Sequence, residues 1–420
     1  MKTKSFFPLI LFCLSIFFST NTVHAQTEAT NFKELKGKVV DSKTNNPLIF
    51  ADLVINESNI STITNSDGDF ILKIPNSFAD GMLTISRLGY EKKEISISKL
   101  ETINKIKLNP AITELKVVQI ETYKNAKILL KETLEKKGIL YNNNNTLMTA
   151  FYRETIKKRR KNASLSEAIV QIHSTPYNSF KKDGIELIKS RKKTDYSRLD
   201  TLAVKLQGGP FSNLYTDIIK YPEYIFTPED IDLYDFSFDE PTQINNNMVY
   251  VVNFKQKPNI ITPLYYGKLY IDYATLALTS AIYSLNVENK ELSSEMYIRK
   301  KPRKVDVYPT EATYRVNYRT KNGKWHYAYS NILLTFKVNW KGKLFNSMYT
   351  LNSEMAITDW EITDTKFVKV RENIIRPTTI LVDETSGFSD PEFWGEYNII
   401  EPEKSIESAI KKIQKQLKRT

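Results

Sequence analysis

Five acidic residues interleaved with aromatic residues form the part of the sequence best suited to chemistry. The carboxylates belong to Asp230, Asp232, Asp235, Asp239 and Glu240, and the rings to Tyr234, Phe236 and Phe238. Glycoside hydrolases use two carboxyl groups on either side of the sugar, as acid and base or as acid and nucleophile. An exposed acidic loop has the same composition and is commoner. We favour the loop, and we keep a polysaccharide-acting hydrolase using the 230–240 carboxylates as the alternative function.

Histidine and cysteine, the other usual carriers of catalysis and metal binding, are scarce. The chain has three histidines and one cysteine. Neither His173 nor His326 has a second ligand at the spacing of an H-E-x-x-H zinc site. The sequence also has no G-x-S-x-G nucleophile elbow and no G-x-G-x-x-G phosphate loop. We therefore predict no catalytic residue, no cofactor-binding residue, no metal ligand and no cofactor.

A further group of oxygen donors, Asn65, Asp67 and Asp69, offers ligands of the kind that calcium prefers. The EF-hand pattern fails because Gly68 is misplaced and no bidentate glutamate follows. We interpret residues 65–69 as a tight β-turn in which Gly68 adopts positive φ.

The N-terminal segment has the pattern of a cleaved secretory signal. Two lysines precede a nearly uninterrupted apolar run over 6–18, and Val23-His24-Ala25 offers a cleavage site. The run is shorter than the roughly 20 residues that span a bilayer. We therefore predict a signal peptide over 1–25, whose removal takes away the only cysteine, Cys13.

The segment 33–110 has the short strands and closely spaced turns of an all-β sandwich. Phe70, Leu72 and Ile74 share one face of a strand, because side chains alternate at a period of two. Apolar residues at helical spacing follow, so we predict a helical linker over 111–145.

The longer segment 146–400 is predicted to form an antiparallel β-rich domain. Asn322-Gly323 lies between two strand-like runs and is a strong hairpin signal, because both positions accept positive φ. We expect the less regular segment 210–241 to form a helix and long loops over one end of the sheet. An apolar stripe predicts an amphipathic C-terminal helix over 401–420, which we expect to pack on the β domain rather than to form oligomers.

The chain is basic, with a formal net charge of +12. Its lysines are spread along the chain, and an exported protein has little access to nucleic acid, so we predict no nucleic-acid partner. The densest basic run is 157–161. We interpret it as a solvated hairpin tip, with contact to anionic lipid headgroups or polysaccharide as the alternative.

Several motifs of the first segment closely resemble the carboxypeptidase-regulatory-like domain, a transthyretin-like sandwich. They are Lys36-Gly37-Lys38-Val39-Val40-Asp41, Pro47-Leu48 with Ala51, Thr64-Asn65-Ser66-Asp67-Gly68-Asp69-Phe70 and Ile85-Ser86-Arg87-Leu88-Gly89-Tyr90. The resemblance implies a cell-envelope setting, because this domain often leads exported proteins of Bacteroidetes, including TonB-dependent outer-membrane receptors. It implies no peptidase activity, since in carboxypeptidases the domain carries no catalytic residues.

The rest of the chain resembles an uncharacterised Bacteroidetes family with the same leading domain. The likeness is carried by 150–154, 266–272, 300–302 and 393–402. Strands around 267–272 also look like the half-barrel of periplasmic lipoprotein carriers, in which a curved sheet holds acyl chains. The expected fold is mainly β, with a transthyretin-like sandwich, a linking helix, a larger antiparallel domain for which a half-barrel stays open, and a C-terminal helix.

From these features we predict a non-catalytic binding or scaffolding protein of the cell envelope. Its partner would be an envelope lipid, a glycan or an outer-membrane protein, held against the larger sheet or the 210–241 loops. We expect it to be exported to the periplasm or associated with the outer membrane. It is not expected to be an integral membrane protein after signal cleavage, because no later segment is long and apolar enough to span a bilayer.

Overall fold

In the computed structural model, antiparallel strands make up most of the molecule, which confirms the mainly β fold class. The structure describes residues 31–111, 123–159, 161–194, 206–227, 229–299, 301–342, 346–364, 373–385, 393–404 and 406. The predicted signal peptide over 1–25 and most of the predicted helix over 401–420 lie outside these ranges. Ile406, the first residue of the predicted C-terminal apolar stripe, is buried with Leu165.

The N-terminal segment folds into two small sheets with a common core. The strands are β1 Phe32–Asp41, β2 Asp52–Ile55, β3 Ser61–Ile63, β4 Asp69–Pro75, β5 Met82–Ser86, β6 Lys93–Ser96 and β7 Ile103–Leu108. They are arranged in the orders β4-β1-β7 and β3-β2-β5-β6. Leu35 and Phe70 from one sheet and Leu53 and Ile85 from the other are buried in one apolar cluster. As predicted, Gly68 adopts positive φ, at 75°.

The rest of the β structure is one eleven-stranded antiparallel sheet in the order β11-β12-β13-β14-β15-β16-β17-β8-β9-β10-β18. Its strands are β8 Thr146–Lys158, β9 Lys161–Ser174, β10 Gly184–Thr194, β11 Tyr234–Ile244, β12 Asn247–Gln256, β13 Tyr265–Asp272, β14 Leu278–Leu285, β15 Val305–Lys321, β16 Lys324–Trp340, β17 Ser347–Ile362 and β18 Ile374–Ile375. Among the described residues β11 and β18 do not pair with each other, so the sheet remains open.

Short helices connect and cover these strands. The α-helices are α1 Ala126–Glu135, α2 Lys137–Leu140, α3 Pro210–Leu214, α4 Lys290–Tyr297 and α5 Leu381–Glu384, and the 3₁₀ turns are Asn76–Phe78, Ile97–Lys99, Pro222–Tyr224 and Asp230–Leu233. Helix α1 lies within the segment 111–145, and it begins at Ala126 because the side chain of Asn125 accepts hydrogen bonds from the N–H groups of Lys127 and Ile128. No helix in the described part of the chain is long and apolar enough to cross a membrane.

The Asn322-Gly323 hairpin is confirmed, with φ values of 50° and 71° between β15 and β16. The basic run at 157–161 is also a hairpin tip, because Lys158 pairs with Lys161 across the β8–β9 turn.

The prediction of a loop at the end of the segment 210–241 is wrong, since Tyr234–Ile244 forms strand β11. An edge strand tolerates Pro241 and charged residues because one of its sides makes no ladder hydrogen bonds. A register shift between Asp239 and Thr242 accommodates the proline.

The sandwich packs on one face of the large sheet, which we call the sandwich face. Arg319 of β15 donates to both carboxylate oxygens of Asp52 at 2.9 and 2.5 Å, and to the hydroxyl of Ser61 at 2.8 Å. The side chain of Asn398 pairs with the backbone of Lys73 through bonds of 2.7 and 3.2 Å. The segment 393–402 is thus held between the sandwich and the sheet. The opposite face, which we call the cavity face, carries the candidate site.

Candidate ligand-binding cavity

A cavity of about 790 Å³ lies on the cavity face, under the segments that cover one half of the sheet. Its floor comes from Tyr152, Tyr283, Tyr314, Ile332, Leu334, Phe336, Val338, Leu351 and Ser353. Its cover comes from residues of 206–225, from 296–301 and from Pro377 and Ile380. The volume is within the range of sites that enclose small molecules, and most of the lining is apolar or aromatic.

Strand β16 shows how the sequence builds the floor. Ile332, Leu334 and Phe336 are each 7% exposed and line the cavity, whereas the intervening Leu333 and Thr335 point to the sandwich face. This is the period-two alternation of a strand with one apolar face.

Polar side chains fix the segment around α3 over one end of the cavity face. The buried Asn213 donates to the hydroxyl of Ser330 at 2.9 Å and accepts from the hydroxyl of Ser353 at 2.8 Å. The carboxylate of Asp217 accepts hydrogen bonds from the hydroxyls of Tyr177 and Tyr318 at 2.7 and 2.8 Å. Asn213 and Asp217 thus have buried hydrogen-bond partners on the sheet, and these bonds hold the cover in position.

Helix α4 covers the other side of the cavity. Asn289 caps it by accepting from the N–H of Leu292 at 3.1 Å. At its C-terminal end the hydroxyls of Tyr297 and Tyr314 lie 2.6 Å apart. The side chain of Met296 is 50% exposed beside the cavity, so this apolar side chain lies at the opening.

Tyrosines make a large part of the lining. The rings of Tyr283 and Tyr314 stack with centroids 5.1 Å apart, and Tyr265 meets Tyr314 edge-on at 5.8 Å. Burial raises the pKa of Tyr265 to about 12, and it also raises the pKa of Tyr283 and of Tyr314 well above the ordinary value for tyrosine. The hydroxyls of these tyrosines therefore stay neutral. The tyrosines line the cavity with aromatic rings and a few hydrogen-bonding groups, and they bring no charge to it.

The acidic group beside the floor is Glu154. It is 4% exposed, and its carboxylate accepts a hydrogen bond of 2.9 Å from Tyr152, which lines the cavity. Burial raises the pKa of Glu154 to about 7, the hydrogen bond from Tyr152 lowers it, and the negative charge of Asp383 adds to the rise. Glu154 is thus a carboxyl group that changes charge near neutral pH.

The two histidines in the described part of the chain, His173 and His326, lie away from the cavity. His326 stacks on Trp360 at 4.1 Å, and burial together with Arg319 and Lys321 lowers its pKa to about 4. His173 lies 3.3 Å from Glu186. In the described ranges no group of three or more His, Cys, Asp or Glu side chains could hold a metal ion.

The five acidic residues of 230–240, which are the carboxylates of the alternative hydrolase function, are dispersed at the exposed edge of the sheet. Asp232 pairs with Lys127 at 2.6 Å, and Asp239 pairs with Lys268 at 2.7 Å. The interleaved aromatic residues point the other way, and Phe236 packs against Phe254. These carboxylates do not face one another across a cleft, which is the arrangement that a glycoside hydrolase requires.

The oxygen donors at 65–69 form the predicted β-turn. The side chain of Asn65 accepts from the N–H groups of Asp67 and Asp69, both at 2.9 Å, and Asp69 pairs with Lys38 at 2.7 Å. The donor atoms are therefore occupied by the protein itself.

The cavity was not predicted from the sequence as a site with named residues. The alternation of apolar residues over 332–338 indicates a buried face, but a filled core gives the same pattern. Only the positions of the distant covering segments show that this face is hollow.

Comparison with family models identifies the first domain. Residues 35–120 match the CarboxypepD_reg-like domain. The resemblance of the N-terminal sandwich to the carboxypeptidase-regulatory-like domain is therefore confirmed. The match covers the sandwich and part of the following linker, and it does not include the sheet that carries the cavity. A search of the curated proteins found no match.

Solved structures of bacterial proteins are similar to the larger part of the chain. An outer membrane lipoprotein-sorting protein domain from Vibrio parahaemolyticus is 12% identical, covers 58% of this chain and 96% of its own, and gives a TM-score of 0.26. A LolA superfamily protein from Nitrosomonas europaea is 9% identical over 56% of this chain and 94% of its own, with a TM-score of 0.21. A DUF1329 family protein from Desulfovibrio piger is 10% identical. The match covers 58% of this chain and 93% of that protein's chain, with a TM-score of 0.24. At these scores the likeness defines neither the fold nor the function of the present chain.

Proposed function

We propose that this is a non-catalytic binding protein that holds an apolar ligand, of the chemical class of a lipid acyl chain, in the cavity. The observation that carries the proposal is the cavity itself, with about 790 Å³ lined mainly by aliphatic and aromatic side chains. Transfer of a methylene group from water to such a lining is favourable by about 0.8 kcal/mol, so a long acyl chain gains much of its affinity from burial alone.

The lining favours a lipid over a glycan, which is another candidate ligand that the sequence allows. The floor includes Ile332, Leu334 and Val338, whose side chains offer no hydrogen bonds. A sugar has hydroxyl groups around its ring, and burying these without partners costs free energy. An acyl chain has no such requirement.

The envelope setting is part of the same proposal. It is supported by the predicted signal peptide over 1–25 and by the leading domain matched at residues 35–120. An exported protein in this compartment is in contact with membranes that supply acyl chains. The absence of enzymatic activity is likewise proposed.

Filling the cavity tests the proposal. Leu334→Trp places a larger side chain on the floor, and displacement of roughly three methylenes at about 0.8 kcal/mol each should weaken binding roughly 50-fold. The measurement is a displacement titration with a fluorescent fatty acid. Leu333→Trp is the matched control, because Leu333 lies on the sandwich face of the same strand, and its affinity should equal that of the wild type.

Leu351→Phe gives a smaller reduction of the cavity and should weaken binding less than Leu334→Trp does. Melting temperatures of all variants show whether each is folded. Equal affinity of the wild type and both folded floor variants would refute binding in the cavity.

A further inference from the structure

Three separate chain segments bring positive charge to one end of the large sheet. The β8–β9 turn carries Arg159 and Lys161, the β16–β17 turn carries Lys341, and the loop before β15 carries Arg303 and Lys304. We call these five residues the basic end.

Backbone contacts show that these tips are neighbours. The N–H of Arg159 donates to the carbonyl of Met348 on β17 at 2.8 Å. The N–H of Lys341 donates to the carbonyl of Lys304 at 2.9 Å. The three tips thus adjoin one another along β8, β17, β16 and β15, which are consecutive in the sheet.

The positive charges of the basic end are not neutralised within the described part of the protein. All five side chains are exposed, and none lies within 4.0 Å of a described carboxylate. Two acids near this end have lysine partners of their own, because Glu403 pairs with Lys157 at 3.3 Å and Asp306 with Lys301 at 3.7 Å. The exposed Glu291 and Glu295 of α4 also lie near this end, since Ser294 of the same helix donates to the carbonyl of Val307 at 3.3 Å. The fold therefore brings five positively charged side chains together, and none of them forms an ion pair with a described residue.

The cavity lies at this same end of the sheet. Its lining includes Val307 and Val338, which are close to the tips of β15 and β16, and also the exposed cations Arg299 and Lys301. The half-exposed Met296 lies beside them. The opposite end of the cavity face is filled by the core residues Phe211 and Ile218.

We propose that the basic end docks the protein on an anionic bilayer surface, with the side of the cavity that carries Arg299 and Lys301 facing the headgroups. Lysine and arginine side chains near an anionic membrane surface each add to its attraction for the protein, and arginine pairs with phosphate through two hydrogen bonds. A flat surface can meet three tips at once, whereas a small anion can meet only one or two.

This inference goes beyond ligand binding in the cavity, and the two can fail separately. Docking depends on exposed charges outside the cavity floor. The variant Leu334→Trp should therefore bind vesicles as the wild type does, even where it no longer binds a fatty acid.

Vesicle flotation tests the docking surface. The mature protein is mixed with phosphatidylglycerol vesicles and, separately, with neutral phosphatidylcholine vesicles. The basic-end variant carries Arg159→Gln, Lys161→Gln, Arg303→Gln and Lys341→Gln. The control variant carries four changes of exposed lysines elsewhere, Lys105→Gln, Lys107→Gln, Lys181→Gln and Lys182→Gln.

We expect the wild type and the control variant to bind the anionic vesicles with similar affinity. The basic-end variant should bind about 1,000-fold more weakly, since each of its four lost cations contributes on the order of 1 kcal/mol near an anionic surface. Raising the salt from about 0.1 M to about 1 M shortens the screening length from about 10 to about 3 Å, so it should release the wild type.

Equal losses in the two variants would mean that net charge alone is responsible and would overturn the proposal. Binding to an anionic polysaccharide, with no binding to the vesicles, would also overturn it and would point to a glycan instead. Melting temperatures confirm that both variants are folded, which is expected because every changed side chain is exposed.

Discussion

At the scale of single residues, Glu154 differs from a surface carboxylate in both its burial and its pKa. It is buried beside the cavity floor, with the hydroxyl of Tyr152 as its hydrogen-bond donor. Its pKa in the folded protein is about 7, compared with 4.5 for an ordinary glutamate. The folded state therefore holds this proton more tightly than the unfolded chain does, and stability falls as pH rises from the lower value through the higher one.

Glu154→Gln should remove this pH dependence. Above pH 7 the wild type must bury a charge, at a cost of about 3 kcal/mol, whereas glutamine stays neutral and still accepts the hydrogen bond from Tyr152. The variant should thus be more stable than the wild type at about pH 8 and of similar stability at about pH 4. Urea unfolding at both pH values measures the difference.

The control for this prediction is Glu135→Gln, because Glu135 is exposed on α1. Its free energy of unfolding should follow that of the wild type at both pH values. A Glu154→Gln variant with the same stability difference at both pH values would contradict the pKa assigned here.

At the scale of elements, the segment 393–402 is held between the sandwich and the sheet by Arg153. This arginine is 1% exposed, pairs with Glu167 at 2.7 Å and with Glu354 at 3.2 Å, and donates to the carbonyl of Ile400 at 2.8 Å. The motifs 150–154 and 393–402, noted in the sequence for their resemblance, are therefore parts of one contact.

Arg153→Met should destabilise the protein by about 3–5 kcal/mol, because it leaves buried carboxylates without one of their cations. It should also expose 393–402, which limited proteolysis would show as faster cleavage in this segment. Arg159→Met is the control, since Arg159 is exposed and its replacement should change stability by less than about 0.5 kcal/mol. Proteolysis at the wild-type rate in Arg153→Met would contradict this role.

Local signals explain which elements could be predicted from the sequence. The Asn322-Gly323 turn is set by two adjacent residues, and its hairpin lies where the sequence predicts it. Strand β11 was missed because Pro241 and the acidic residues resemble a loop. Its strand character depends on pairing with β12 and on the inward rings of Tyr234 and Phe236, contacts that single-sequence patterns do not show.

At the scale of the whole molecule, the sandwich and the cavity occupy opposite faces of one open sheet. Asp52 and Ser61 of the sandwich are hydrogen-bonded to β15 and β17 on the sandwich face, through Arg319 and the carbonyl of Ile357. The cavity could not be located from the sequence, because the sheet and its cover come from segments more than a hundred residues apart, such as Tyr152 and Pro377.

Bound lipid in the purified protein would show directly whether the cavity holds an acyl ligand. The protein is purified from cells that express it, without removal of lipid, and native mass spectrometry is followed by release and identification of the bound species. We expect the wild type and Leu333→Trp to carry bound mass that is released as acyl-containing molecules, and Leu334→Trp to carry little. A bare polypeptide mass for the wild type, or equal bound mass in all three proteins, would contradict it.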